Sequence, residues 1–382
     1  PYSTLFRSYS KQKNTLSALL TSNIKKNNFY KTVRGYGSCL EKSLDADNIT
    51  VDVYDNLIDT INKNLHLLHR YLKLRKKVLN LETLHMYDLY VPLVEQPERK
   101  IPYEDAVEIV KKGLKALGET YIKDLSKGFE SGWVDVYENE GKTSGAYSWG
   151  AYKTHPYVLL NYQGNINDVF TIAHEMGHAL HTYYTNKTQP YINSDYKIFV
   201  AEVASTVNET LLMKYMLENS KDKAEKAYLL NNYLEEFRGT VFRQVMFAEF
   251  EKITHAKIEA GDALTVDSLC GIYRDLNLKY FGSEVEVDSE IDMEWARIPH
   301  FYNSFYVYKY ATGFSAATAI AQQILDEGEP AVQRYMNFLS SGGSDYPLEL
   351  LKKAGVDLST PKPVQDALNV FESILGQLES LI

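Results

Sequence analysis

The sequence predicts a mostly α fold, one large helical domain with a small β-sheet set into its middle. Three observations predict it. Apolar residues recur at three- and four-residue spacing through most of the 382 residues, the period of a half-buried helix. One segment alone, 131–163, is rich in Trp, Tyr, Val and Gly and carries turn signals, the texture of strands. No repeat, low-complexity linker or block of like charge divides the chain. Residues 1–382 therefore read as a single domain, with an upstream helical portion (1–100) and a portion carrying the candidate site (101–382).

Taken in order, residues 53–80 place Leu57, Ile61, Leu65, Leu68 and Leu72 on one helical face, with basic residues on the other. His66 and His69 lie in that helix, but no acid or Cys at ligand spacing joins them, so they read as packing or solvent-facing residues. Pro92, Pro97 and Pro102 mark a loop over 91–102. A second helix is expected over 103–128, carrying Ala106, Ile109, Val110, Leu114 and Leu117. Segment 131–163 should give two to four strands, and from 165 the pattern is helical almost to the end.

Composition narrows the function. The apolar fraction is 45% and the charged fraction 24%, values of a folded globular chain. A net charge of −9 repels polyanions and excludes nucleic acid as a partner. No apolar run approaches the roughly 20 residues that span a bilayer, so no membrane partner is expected. The two cysteines, Cys39 and Cys270, form no metal or redox motif, and a reducing cytoplasm suits them. Thirty tyrosines are mostly core residues.

The chemistry concentrates at 174–178, His-Glu-Met-Gly-His. On a helix, positions four apart share a face about 6 Å apart along the axis. Two imidazoles so placed can converge on one zinc, with the intervening Glu175 beside the attacking water as general base. Asn165 and Asp168 form an N-cap and capping-box pair that starts this helix. Val169, Phe170, Ala173, Met176, Gly177, Leu180 and Tyr184 give it a broad apolar face, which leaves His174 and His178 on the remaining stripe. Gly177 costs roughly 1 kcal/mol relative to Ala, so another backbone is expected to pack against it.

A tetrahedral catalytic zinc needs a third ligand and an open position. His181 lies about 10 Å along the axis from His174, too far to share one ion, and reads as a packing residue. The next expected helix, 196–217, offers better. Glu202, Ser205 and Glu209 share a stripe of an otherwise apolar helix, where acids are costly without partners. Glu202 is the expected third ligand, and Glu209 the acid that orients a ligating histidine. Ligand type favours one zinc ion, with cobalt or manganese able to substitute.

The segments HEMGHALH and FVAEVASTVNE resemble the oligoendopeptidase F branch of the thimet oligopeptidase family. GAYSWGAYKTHPYVLLNY (145–162) resembles the strand region ahead of the zinc helix there, and IPHFYNSFYVYKYATGFSAA (298–317) resembles its C-terminal active-site segment. The resemblance implies a large helical zincin-type domain with a deep channel, a single zinc and cleavage of short, unstructured peptides. It implies His174, His178 and Glu202 as ligands, Glu175 as base and His300 as a residue that binds substrate and steadies the transition state. A tyrosine in 302–308 would donate to the oxyanion, with Tyr308 favoured and Tyr306 and Tyr302 behind it. The family carries a further helical region ahead of the matched part, so the chain is expected to be a shortened form of a longer enzyme.

The expected reaction is hydrolysis of an internal peptide bond. An extended peptide adds to the sheet edge, with Gly145, Ala146 and Tyr147 lining its path. The rivals are a zinc carboxypeptidase, which shares the motif and a downstream Glu, and a peptide-binding fragment that does not turn over.

Overall fold

In the computed structural model, which describes residues 2–382 and the side chains from Phe6 onward, the helix expected over 53–80 is two helices. Val51–Lys63 and Leu65–Val78 meet at Asn64, whose backbone sits at φ −112°, ψ 13°. Its amide donates to the Thr60 carbonyl at 2.8 Å, a local side-chain bond that competes with the helical ladder. The expected face survives the break: Leu57, Ile61, Leu65, Leu68 and Leu72 are all buried.

The helix expected over 103–128 is also divided, into Tyr103–Gly113 and Gly118–Glu130 with a 3₁₀ turn between them. Gly118 takes φ +85°, the left-handed region that glycine enters without a Cβ penalty. A helical residue cannot continue through it.

Five short strands occur among the described residues: β1 (Leu84–His85), β2 (Val134–Asp135), β3 (Tyr147–Trp149), β4 (Tyr157–Leu159) and β5 (Val285–Glu286). The remainder is helical or irregular, and no helix of the described residues is long and apolar enough to cross a membrane. The chain divides into two compact units. The first comprises Pro1–Glu95, Leu234–Ala311 and Leu368–Ile382, and the second Gln96–Tyr233 and Thr312–Ala367.

In the first unit β1 and β5 pair in parallel, Leu84 with Val285 and His85 with Glu286. Two-residue strands carry no alternation to read, so the sequence offered no sign of this sheet. Arg75 is almost wholly buried and donates to the carbonyls of Asp88, Leu89 and Val91, which fixes the turn after β1. The loop at 302–306 is tied from elsewhere in the unit. Asn23 donates to Tyr302 O, Asn27 to Ser304 Oγ and Ser43 to Ser304 O. The Phe305 N–H donates to the buried carboxyl of Glu251 at 2.7 Å, and Phe305 itself sits at φ +60°, a conformation costly for a bulky residue.

In the second unit β2, β4 and β3 form one sheet in that order, β2 parallel and β3 antiparallel to β4. Strand β3 is thus an edge, with Tyr147 opposite Leu159 and Trp149 opposite Tyr157. Two long helices, the motif helix Ile166–Thr188 and the acid helix Ile198–Asn219, supply much of this unit's core.

Glu251 gives the first unit a pH dependence. Burial pushes its carboxyl up to about 8, although the Phe305 N–H pulls the other way. The fold therefore holds a proton that the unfolded chain releases near its ordinary value of about 4.3. Stability from this group is complete below about pH 4.3, is lost as pH rises from there to 8 by at most roughly 1.4 kcal/mol per pH unit, and levels off above 8. His255, lowered to about 4 by burial, is largely neutral in both states above pH 7 and adds little to this slope. Thermal melts from pH 7 to 9 should show a falling Tm for the parent and a flatter profile for Glu251→Gln, which keeps the acceptor for Phe305 and cannot ionise.

Candidate metal centre

The motif helix starts where its capping residues require. Asn165 accepts from the N–H groups of Asn167 and Asp168 at 2.9 and 3.1 Å, and Asp168 accepts in return from Asn165 N at 3.0 Å. Its apolar face is buried as the spacing predicts, with Val169, Phe170, Ala173, Met176, Leu180 and Tyr184 at 5% exposure or less. His174 and His178 look out from the remaining stripe.

Gly177 explains what stands opposite. A Cβ built there would lie 2.7 Å from both Ala204 O and Ser205 Cα, so the acid helix touches the motif helix backbone to backbone. At that distance a glutamate one turn away reaches both histidines. Glu202 Oε2 lies 3.2 Å from His178 Nε2 and 3.5 Å from His174 Nε2, and the two imidazole nitrogens are 3.2 Å apart. These three residues form a cluster whose ligand atoms lie within 4.8 Å of one another. Zinc bonds of about 2.0–2.1 Å in a tetrahedron put ligand atoms about 3.3 Å apart, so two imidazoles and one carboxylate at this spacing fit zinc.

The surrounding groups fix the ligands in place. Glu209 Oε2 stands 3.2 Å from His174 Nδ1, which leaves Nε2 to face the cluster, the usual arrangement behind a ligating histidine. Ser205 donates to Glu202 Oε2 at 3.0 Å. The sequence had placed Ser205 on this stripe without a role, although its spacing of three from Glu202 is the signal. His181 is buried and stacked on Tyr196, with ring centroids 3.7 Å apart, a packing residue.

Charge in the cluster calls for a cation. Burial opposes protonation of His174, but Glu209, Glu202 and Glu175 overcome it and push the imidazole up to about 9. Burial likewise resists ionisation of Glu202, yet its hydrogen bond to His178 and the charges of both histidines hold it at about 2. Bound metal displaces protons from such ligands. Glu175 is 6% exposed, burial raises its pKa above the usual carboxylate value, and its Oε2 is buried without a hydrogen-bond partner.

Residues 2–370 match the model of Peptidase family M3. The chain belongs to peptidase family M3. It is similar to oligopeptidase PepF of Bacillus subtilis, 53% identical over all of this chain and 57% of that protein. An oligoendopeptidase F homologue of Lactococcus lactis is 43% identical, over all of this chain and 63% of its own length. Among solved structures, oligoendopeptidase-F from Enterococcus faecium superposes with a TM-score of 0.82 at 41% identity, covering 100% of this chain and 62% of that one. The M3 chain thus spans roughly three-fifths of the length of the relatives it matches.

The other site residues of this M3 chain fall into two places. Gly145, Ala146 and Tyr147 lead into the edge strand β3, in the same unit as the metal cluster. Gly145 takes φ +91°, so glycine is required there by conformation. Asn161 donates to the carbonyls of Thr143 and Gly145 at 2.9 and 2.8 Å and sets the strand entry. His300, Tyr302, Tyr306 and Tyr308 all belong to the first unit. There His300 stacks on Tyr306, with centroids 5.7 Å apart, and its Nε2 lies 3.4 Å from the hydroxyl of Tyr310. The sequence reading passed over Tyr310, four residues beyond Tyr306 and in the first turn of helix Tyr308–Glu327. Tyr308 is fully buried against Tyr54, and Tyr302 is exposed.

Backbone contact at Gly177 leaves no room for a methyl group. Gly177→Ala improves helix propensity, yet overpacking at a rigid site costs about 1–3 kcal/mol. The variant should melt several degrees below the parent and retain less zinc after dialysis, as measured by calorimetry and atomic absorption.

Proposed function

We propose that this chain forms the catalytic portion of a zinc-dependent oligoendopeptidase, which hydrolyses internal bonds of short, unstructured peptides. The observation that carries the reading is the convergence of His174, His178 and Glu202, with a buried Glu175 that interacts electrostatically with both histidines and has one unpartnered oxygen. One zinc per chain would be held by those three residues, the single such cluster among the described residues. Zinc, when bound, lowers the pKa of water towards about 7 and polarises the scissile carbonyl.

The chain's own groups do the rest. Glu175 takes a proton from the attacking water and passes it to the departing amine, so it ends each turnover as it began. Burial raises its proton affinity, which suits a group that must first accept and then release. Glu209 keeps His174 in the tautomer that presents Nε2. The exposed edge of β3, entered through Gly145, Ala146 and Tyr147, offers backbone groups to an extended peptide, and Tyr302 is a further candidate for substrate contact. His300 with a tyrosine of its segment would donate to the oxyanion that develops on the carbonyl. Support for that role is the likeness of 298–317 to the family's C-terminal segment. Within that segment Tyr306 and Tyr310 stand beside His300, whereas Tyr308 is buried.

The proposed partners are oligopeptides, with neither nucleic acid nor membrane, and the proposed compartment is the cytoplasm. Both cysteines are free. Burial pushes the Cys39 thiol up to about 12, which keeps it unreactive at neutral pH.

Product mapping by mass spectrometry on peptides blocked at both ends tests the reading. Internal cleavage that a chelator abolishes is expected, and cleavage confined to peptides with free termini would establish an exopeptidase instead. Glu175→Gln should lower turnover by roughly a hundredfold to ten-thousandfold while zinc content stays at the parent's level. Undiminished turnover in that variant would remove Glu175 from the role of base.

A further inference from the structure

Side-chain reach alone does not bring Glu202 and Glu209 to the histidines together. The two acids lie seven residues apart on the acid helix; Glu202 meets Nε2 of both His174 and His178, and Glu209 meets Nδ1 of His174. A slide of one residue along the axis, about 1.5 Å, would lengthen these contacts beyond ligand or hydrogen-bond distance. Gly177 sets how closely the helices approach, but a smooth contact at glycine permits sliding. Something must fix the register.

Asn208 occupies the place where register can be fixed. Its side chain is wholly buried, and its Nδ2 donates to Ala173 O at 2.9 Å. A helical carbonyl has a second lone pair for such a bond. Its Oδ1 accepts from the hydroxyl of Tyr121 at 2.8 Å, a residue of helix Gly118–Glu130 that is itself fully buried. Ala173 immediately precedes His174, and Asn208 immediately precedes Glu209. The bond therefore ties the two backbones at the residues next to the His174–Glu209 pair.

We propose that Asn208 is a positioning residue that fixes the axial register of the two ligand-bearing helices, and that Tyr121 holds its amide in the working orientation. The amide can act in only one sense. Turned over, it would set its carbonyl oxygen against the carbonyl of Ala173, oxygen against oxygen. The Tyr121 hydroxyl, which burial keeps protonated by raising its pKa, supplies the donor that prevents the turn. Neither residue touches the metal position. Both act through the orientation of His174 and the reach of Glu202.

The inference rests on the zinc reading, and its test reads the metal without recourse to turnover. Zinc affinity is measured by chelator competition, and ligand geometry by the visible absorption of the cobalt(II)-loaded protein. The parent is compared with Asn208→Leu, Tyr121→Phe and Thr185→Val. The last cuts another buried bond of the motif helix, from Thr185 Oγ1 to Leu339 O at 3.0 Å, away from the acid helix. Asn208→Leu should lose zinc affinity by roughly tenfold or more with altered cobalt bands. Tyr121→Phe should move both readouts the same way by less. Thr185→Val should melt earlier yet keep the parent's affinity and spectrum. Parent-like zinc affinity and cobalt bands in both Asn208→Leu and Tyr121→Phe overturn the proposal. So does an equal loss of affinity in Thr185→Val, because general loosening would then explain everything. If Asn208→Leu does not fold, Tyr121→Phe decides alone. A parent that binds no zinc fails at the first measurement and removes the zinc reading itself.

Discussion

Contact between two helix backbones at Gly177 is the constraint from which the metal centre follows. Ordinary helix pairs stand 8–10 Å apart, separated by their side chains. Here Ala204 and Ser205 lie where a Cβ would be, so short glutamate side chains span the remaining gap. A glycine in mid-helix costs roughly 1 kcal/mol, and that cost is offset by the apolar surface the two helices bury, Ala173, Met176, Val203 and Val207 among it. Close approach, then, is a packing result with an electrostatic use.

The electrostatic use is to crowd three carboxylates around two imidazoles. Glu175, Glu202 and Glu209 repel one another at this spacing, Glu175 from a buried position and the other two from partly exposed ones. Two groups relieve the crowding locally: Ser205 takes up one oxygen of Glu202, and His174 one oxygen of Glu209. The remainder is negative charge facing imidazole nitrogens about as far apart as ligands of one zinc ion. A divalent ion would complete that balance. The carboxyl of Glu175 is left outside the ligand set, with one oxygen unpartnered, which is the state a proton-transfer group requires.

The first unit handles buried charge in another way. Arg75 and Glu294 are almost fully enclosed, and each is paired: Glu235 and the carbonyls of a turn for the arginine, and Arg243, Arg297 and Tyr273 for the glutamate. Glu251 instead stays protonated at neutral pH and accepts a single backbone N–H. That one bond, with the side chains of Asn23, Asn27 and Ser43, holds Phe305 in a left-handed conformation. The segment from His300 to Tyr310 is shaped by residues up to about 280 positions away in sequence.

The sequence by itself determined whatever depends on neighbours within a turn or two. The 3.6-residue period marked the helical faces, and Asn165 with Asp168 marked where the motif helix begins. Two histidines four apart pointed to metal, and the glycine between them pointed to a close backbone. Acids at 202 and 209 were legible because charge in an apolar stripe needs a reason. Breaks at Asn64 and Gly118 were missed because periodicity continues across them, and the β1–β5 sheet because two-residue strands have no pattern. Only the tertiary structure decided which groups meet across the chain. Tyr121 and Asn208 bond over a separation of 87 residues, and nothing in either local sequence points to the other. The same holds for Tyr310 beside His300 and the burial of Tyr308, since three tyrosines in five residues look alike until the fold turns each a different way.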